Sequence, residues 1–252
     1  MVKKMRSPDP GSPESSGGQS PGTASRAPIT TEGGPEVRGF RLRQRLEIPR
    51  FAGLTGGLRA VRLASRAMIL DIVQYGHPVL RQRCRKISEI DDDTIRLVED
   101  MLETMVDANG VGLAAPQVGV PIRLAVIDVS HDPECVSYLR VNGEDADLVA
   151  LMPLVFINPE LEFGDTREFG TEGCLSIQGI RAEVKRPAEV TATLPQLDGS
   201  VLVVETDGLL ARALQHEIDH LNGVLFVDRL PPAAKVSLRG RLKLLMERNQ
   251  QP

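Results

Sequence analysis

Gln215-His216-Glu217-Ile218-Asp219-His220 is the stretch that decides how this chain is read. It contains His-Glu-x-x-His. On a helix, residues four apart share a face, so His216 and His220 can offer two imidazole nitrogens to one metal ion. Glu217 sits one residue round from His216, at the edge of that face, where it reaches a water on the ion. This is the layout of metal-assisted hydrolysis. Two unrelated histidines would be read as polar surface. Glu in the second position, in a chain with only four histidines, favours the metal. The helix is expected over roughly Gly208 to Leu221, ended by Asn222-Gly223.

Working outward, Val201–Glu205 and Glu189–Leu194 flank Asp198-Gly199, a hairpin signal. Leu154–Asn158, closed by Pro159, and Leu124–Val129 read as strands, and Ile69–Val73 as a short strand or extended entry. Asp91 to Asp93 offer an N-cap. Ile95, Val98, Met101, Leu102, Met105 and Val106 then recur at helical spacing up to Asn109-Gly110. Residues 232–249 read as a third helix. Runs of strands without regular βαβ alternation predict an α+β fold. Antiparallel sheets pack around the central His-Glu-x-x-His helix, with a further helix at the C-terminus. The domain division expected is 1–67 as an extension and 68–252 as the catalytic domain.

The extension differs in composition. Residues 7–37 are rich in Ser, Gly and Pro and cannot bury enough surface to offset their ordering entropy. Residues 1–67 carry 12 Lys+Arg and 5 Asp+Glu, against 18 and 29 in the remainder. Three readings of this tail stay open: an organelle transit segment, a disordered interaction arm, or a mis-assigned start with translation beginning at Met68. The last is favoured, because Met68 directly precedes ordered-looking sequence. The acidic body argues against general nucleic-acid binding, which needs a positive surface. No stretch approaches the roughly 18 apolar residues of a membrane span. Cys84, Cys135 and Cys174 are too few, and odd in number, for a disulfide framework.

A catalytic metal takes three protein ligands and keeps one position for water. No histidine follows His220, so a third ligand is sought upstream. Cys174, in Thr171-Glu172-Gly173-Cys174-Leu175-Ser176, is either that ligand or a small buried apolar residue. The Gly-rich run Gly110-Val111-Gly112-Leu113-Ala114-Ala115-Pro116-Gln117-Val118-Gly119 could suggest a phosphate cradle. It follows a helix, however, has Ala115 in place of a third Gly, and lacks a Gly-Lys-Ser/Thr ending.

Those three segments together resemble the peptide deformylase family. Gly110–Gly119 is similar to its G-x-G-L-A-A-x-Q, Glu172–Ser176 to its E-G-C-L-S, and Gln215–Leu221 to its Q-H-E-x-D-H-L, in the same order. The similarity spans about Ile72 to Leu230. Two departures stand out. Gln178 replaces a Pro common after E-G-C-L-S, and residues 131–152 form a longer segment, expected as a surface loop.

The resemblance implies removal of the formyl group from the N-terminal formylmethionine of new polypeptides. It implies one divalent ion held by Cys174, His216 and His220, characteristically Fe(II), with Zn(II), Ni(II) or Co(II) able to substitute. Glu217 would be the general base and acid. Gln117 and the backbone N–H of Leu175 would stabilise the oxyanion. Val111 and Gly112 would pair with the extended substrate, and Leu113, Leu175 and Ala213 would line a methionine pocket. A bacterial cytoplasm is expected, or an organelle if the tail is a transit segment. The basic C-terminal helix suggests docking near the ribosomal exit tunnel; no membrane partner is expected. Two rivals, an HExxH protease and a non-catalytic metal scaffold, account less well for Cys174, Glu217 and Gln117.

Other residues attract weaker readings. His77 and His131 read as ordinary surface or loop residues. Cys84 stands among Arg81, Arg83, Arg85 and Lys86, which could lower its pKa, though a solvated basic face is favoured. Asp219 is open between a charge partner for the site and a surface residue.

Overall fold

The computed structural model describes residues 67–132 and 136–249. The extension, apart from Ala67, lies outside them, as does Cys135, so the readings placed there are not addressed by the fold.

The chain enters as an extended segment over residues 67–75, without strand pairing of its own. Helix α1 (Asp92–Asp107) starts where Asp91 accepts a hydrogen bond from the Thr94 N–H at 2.8 Å. This N-cap satisfies one of the otherwise unpaired first-turn donors. The helix stops before Asn109, whose φ of 52° takes the left-handed conformation that Asn tolerates. Then come β1 (Gly112–Ala114), a 3-10 turn at Ala115–Val118, β2 (Leu124–Ile127), β3 (Leu139–Val141), β4 (Glu144–Asp145), a single helical turn α2 (Leu148–Leu151), β5 (Leu154–Ile157) and β6 (Glu160–Phe163). A long hairpin of β7 (Arg167–Cys174) and β8 (Ile177–Pro187) is followed by β9 (Val190–Pro195) and β10 (Val201–Thr206). Helix α3 (Gly208–Leu221) and helix α4 (Pro232–Asn249) close the order, with a 3-10 turn at Phe226–Arg229 between them.

Among the described residues every pairing between these strands is antiparallel, beside one isolated parallel bridge between Arg85 and Ile122. The sheets run β1-β2-β5, β4-β3-β10-β9-β6 and β7-β8. The α+β expectation holds, with the strands packed about a central α3. Leu210, Ala211, Leu214 and Leu221 of α3 are at most 1% exposed and join one cluster with β2, β5, β9 and β10. Full burial of a leucine side chain contributes about 1.5–3 kcal/mol, so α3 is fixed by its apolar stripe while its other face is left for chemistry. A second cluster joins α1 to β1 and β2, and a third joins β8 to the Phe226 turn and α4.

The segment 131–152 is more than a surface loop. It supplies β3 and β4, pairs with β10 at Arg140–Glu205 and Val141–Val204, and buries Leu139 and Leu148. Its anchor is Asp207, just before α3, whose carboxylate accepts from the Ser137 N–H at 2.8 Å and from the Ser137 hydroxyl. The β3–β10 pairing is long-range, whereas the β3–β4 hairpin turns locally at Asn142-Gly143, whose φ values of 54° and 84° suit that dipeptide.

Candidate active site

Three elements meet at the site. Helix α3 carries His216, Glu217 and His220. Hairpin β7–β8 carries Cys174, beside its two-residue turn Leu175-Ser176. The segment from β1 into the following 3-10 turn carries Gly112 and Gln117.

The donor atoms of Cys174, His216 and His220 all lie within 4.8 Å of one another. Cys174 Sγ is 3.2 Å from His220 Nε2. Donors held tetrahedrally at metal bond lengths of about 2.0–2.3 Å stand roughly 3.3–3.7 Å apart, so the spacing suits one small divalent ion. His216 Nδ1 lies 3.0 Å from Glu172 Oε2, leaving its Nε2 for the cluster. A carboxylate on the far nitrogen of a ligating histidine fixes its tautomer and ring direction. The donor set therefore fits a metal.

Behind His216 stands a buried charge network that the sequence did not announce. Arg186 grips Glu172 through both oxygens, at 2.6 and 2.9 Å, and reaches Asp219 at 2.8 Å. Arg212 donates to Glu172 at 3.0 Å and to Glu168 at 3.1 Å. Arg229 also binds Asp219. Asp219, left open by the sequence, is thus a buried charge partner. Burial alone would raise the Glu172 pKa. The guanidinium of Arg186 and the imidazole of His216 outweigh it and hold the carboxyl at about 2. Burial opposes the charged form of His216, but Cys174 and Glu172 prevail and hold its pKa well above the ordinary value. Burial and the neighbouring His216 push His220 the other way. Negative charge gathered against one imidazole, with a second kept neutral, is the electrostatics of a cation site.

Glu217 is built differently. It is 3% exposed, and its Oε2 has no hydrogen-bond partner among the described residues. Burial, with Glu172 adding to it, pushes its carboxyl up to about 7 despite the opposing pull of His216. Gly112 makes room for it: a Cβ there would overlap Glu217 Oε1.

Gln117 is oriented by its own bonds. Its Oε1 accepts from the Ala114 N–H at 2.8 Å, which turns its Nε2 toward Ser176 Oγ at 3.3 Å and Cys174 Sγ at 3.5 Å. Strand β1 forms the edge of its sheet. Val111 and Gly112 therefore sit where an extended peptide could add a strand, although the Val111 carbonyl is already bonded to the Asp128 N–H at 2.9 Å.

Of the methionine-pocket residues, Leu175 packs against the cluster that holds Leu113, and Ala213 lies in the cluster built around α3. Leu175 is partly exposed, whereas Leu113 and Ala213 are 0% and 5% exposed and belong to two different core clusters. Cys84 is buried, and burial raises its thiol to about 11, so its arginine neighbours do not activate it. His77 caps a 3-10 turn at the surface and His131 is exposed, as expected.

The profile of the family described as polypeptide deformylase matches residues 69–236. A peptide deformylase of Agrobacterium fabrum is 51% identical over 163 residues, covering 64% of this chain and 87% of the relative. One of Methylacidiphilum infernorum is 44% identical over 176 residues, covering 70% and 92%. Among solved structures, a Synechococcus elongatus peptide deformylase in complex with actinonin has a TM-score of 0.59 at 39% identity, covering 73% of this chain and 92% of that one. A plant peptide deformylase has a TM-score of 0.62 at 34% identity, with the same coverage. The site and these likenesses agree: the chain belongs to the polypeptide deformylase family, metal-dependent hydrolases that remove the formyl group from the N-terminal methionine of newly made polypeptides.

Proposed function

We propose that Cys174, His216 and His220 hold one divalent ion, Fe(II) in the native state, and that Glu217, Gln117 and Leu175 carry the reaction. The observation that supports this most is the contrast at one spot. A buried, unpartnered carboxylate stands one residue from a Cys/His/His donor set, with an amide N–H of Gln117 aimed at the same place. Burying such a carboxylate without a partner is destabilising, and a proton-transfer role is a reason to keep it. Zn(II), Ni(II) and Co(II) suit the same donors, and ligand softness does not separate them.

The ion, when bound, lowers the pKa of its water toward neutrality and polarises the formyl oxygen. Glu217 accepts the proton of the attacking water as the new C–O bond forms. Gln117 Nε2 and the Leu175 N–H donate to the oxygen on which negative charge develops; one such donor lowers the barrier by roughly 3–4 kcal/mol. Glu217 then delivers its proton to the departing amine as the C–N bond breaks, leaving formate and a free N-terminus. Val111 and Gly112 align the substrate backbone. The methionine side chain is assigned to an apolar pocket at Leu175, with Leu113 and Ala213 as its buried backing.

The catalytic unit is assigned to residues 68–252, α4 included. On α4, Leu238 is buried, and Lys235 and Arg241 bond the carbonyls of Asp228 and Gly179. Lys235, Arg239, Arg241, Lys243 and Arg248 against Glu247 make it basic, which favours the anionic surface near the ribosomal exit tunnel. No helix among the described residues is long and apolar enough to cross a membrane. Formylated substrate assigns the enzyme to the bacterial cytoplasm, or to an organelle if the extension is a transit segment.

The test is deformylation of a formyl-Met tripeptide by anaerobically purified protein, with metal content read on the same sample. Formate release with about one Fe(II) or Zn(II) per chain is expected. A fully metallated protein that releases no formate refutes the assignment.

A further inference from the structure

The two groups assigned to the oxyanion come from separate elements, and neither is fixed by its own element alone. Leu175 belongs to the two-residue turn between β7 and β8, and Gln117 to a short 3-10 turn. A strap formed by Val73, Gln74 and Tyr75 runs across both. The Val73 N–H donates to the Gln117 carbonyl at 2.8 Å, and the Tyr75 N–H donates to the Ser176 carbonyl at 2.8 Å. Between them, Gln74 Nε2 donates to the Leu175 carbonyl at 3.1 Å and to the Ile72 carbonyl at 3.0 Å. Both carbonyls of the Leu175-Ser176 turn are therefore held from the strap, one of them by a side chain.

The amide orientation of Gln74 follows from its surroundings. Turned over, it would set its oxygen against two carbonyls. As it stands, the Oε1 is buried without a partner among the described residues. A buried acceptor left unpaired calls for a reason. Keeping the Nε2 on the Leu175 carbonyl is that reason. The strap is backed from the outside by α4: Asn249 donates to the Tyr75 carbonyl at 3.2 Å, and a Cβ at Gly76 would meet Met246 at 2.6 Å. It is thus held between helix and turn.

We infer that Gln74 is a positioning residue for the oxyanion site, fixing the Leu175-Ser176 turn through the Leu175 carbonyl so that the Leu175 N–H stays aligned beside Gln117. This rests on the roles proposed above for Leu175 and Gln117. Misplacing a preorganised donor weakens the transition state more than the bound ground state. The effect should therefore appear in kcat and spare KM.

The test compares wild type with Gln74→Met, which keeps length and removes the donor, and Gln74→Lys, which restores N–H donors on a stem of similar reach. With a formyl-Met tripeptide, Gln74→Met is expected to lower kcat about tenfold, with KM changed less than about twofold and metal content unchanged. Gln74→Lys should recover most of kcat. Amide hydrogen exchange over residues 174–177, read without substrate, should be about tenfold faster in Gln74→Met and near wild type in Gln74→Lys. Wild-type kcat and unchanged exchange in Gln74→Met overturn the inference. So does a loss of kcat in both variants that tracks a loss of metal or of folded protein, which assigns Gln74 to stability alone. Should the wild type release no formate, the functional reading fails instead, while the exchange measurement still reports whether Gln74 holds the turn.

Discussion

Glu172 and Glu217 are almost equally buried, at 5% and 3% exposure, yet their surroundings are opposite. Glu172 accepts from Arg186, Arg212 and His216, and its carboxyl is held at about 2. Glu217 leaves an oxygen unpartnered, and its carboxyl is pushed up to about 7. Environment, not residue type, divides the labour. The permanently charged carboxylate fixes the ring of His216; the one poised near neutrality can take and return a proton. The charged half of the site depends on hydrogen bonds that are all present, and the bare half on space kept open around one side chain. Each half breaks differently.

The largest effect is expected from the charged half. Arg186→Met strands Glu172 and Asp219 in the interior, and breaking a buried pair in this way costs about 3–5 kcal/mol. Urea unfolding of variant and wild type measures it. A loss under about 1 kcal/mol would mean that Arg212 and Arg229 hold the two acids by themselves.

Next comes Glu217→Gln. It keeps the volume and the metal ligands but cannot accept the proton, so kcat should fall by roughly 10²-fold or more. Metal per chain and thermal stability should stay near wild type, because no hydrogen bond to the Oε2 is lost. A fully active variant removes Glu217 from the reaction.

The two halves also differ in how far the sequence disclosed them. Helices α1, α3 and α4 and the β9–β10 hairpin carry local signals: the Asp91 cap, the apolar period of Ile95 to Val106, and Asp198-Gly199 at a turn. Cys174, His216, Glu217 and His220 were legible because their motifs are short and contiguous. Hairpin β7–β8 was not. Glu172 on β7 and Arg186 on β8 are buried, with the half-exposed Glu168 on the same face of β7, so the usual alternation of apolar and polar residues is replaced by charge. Arg186, Arg212 and Gln74 have no motif of their own; each acquires its role from partners distant in sequence. Segment 131–152 was misread in part for the same reason, since β3 pairs with the distant β10, and in part because the Asn142-Gly143 turn of its local β3–β4 hairpin was passed over.

Space around Glu217 can be tested at Gly112. A methyl group there would overlap the carboxylate, and the short edge strand β1 cannot retreat without losing its register to β2. Gly112→Ala should shift Glu217 and reduce kcat by on the order of 10- to 100-fold, with the ligands untouched. Unchanged turnover would show that the carboxylate has slack, and would weaken the view that its bare environment is shaped for one position.

The smallest effect concerns another acid raised by burial, Cys84. Burial raises its pKa to about 11, against the opposing influence of Arg123. At pH 8 it should resist thiol reagents in the native protein and react only on unfolding. The linkage has a definite sign. A thiol whose folded pKa lies above its unfolded value of 9.0 contributes stability that is complete below pH 9.0 and is lost as pH rises toward about 11. Cys84→Ala should therefore flatten the decline of the thermal midpoint across that alkaline window and change nothing in its slope near pH 7. Like Glu217, Cys84 is a buried acid raised by burial; unlike Glu217, it does not stand beside the Cys174, His216 and His220 donor set. A normal thiol reactivity at pH 8 would mean that the β2-side core admits solvent, and with it that burial alone does not set the pKa values on which the contrast with Glu172 rests.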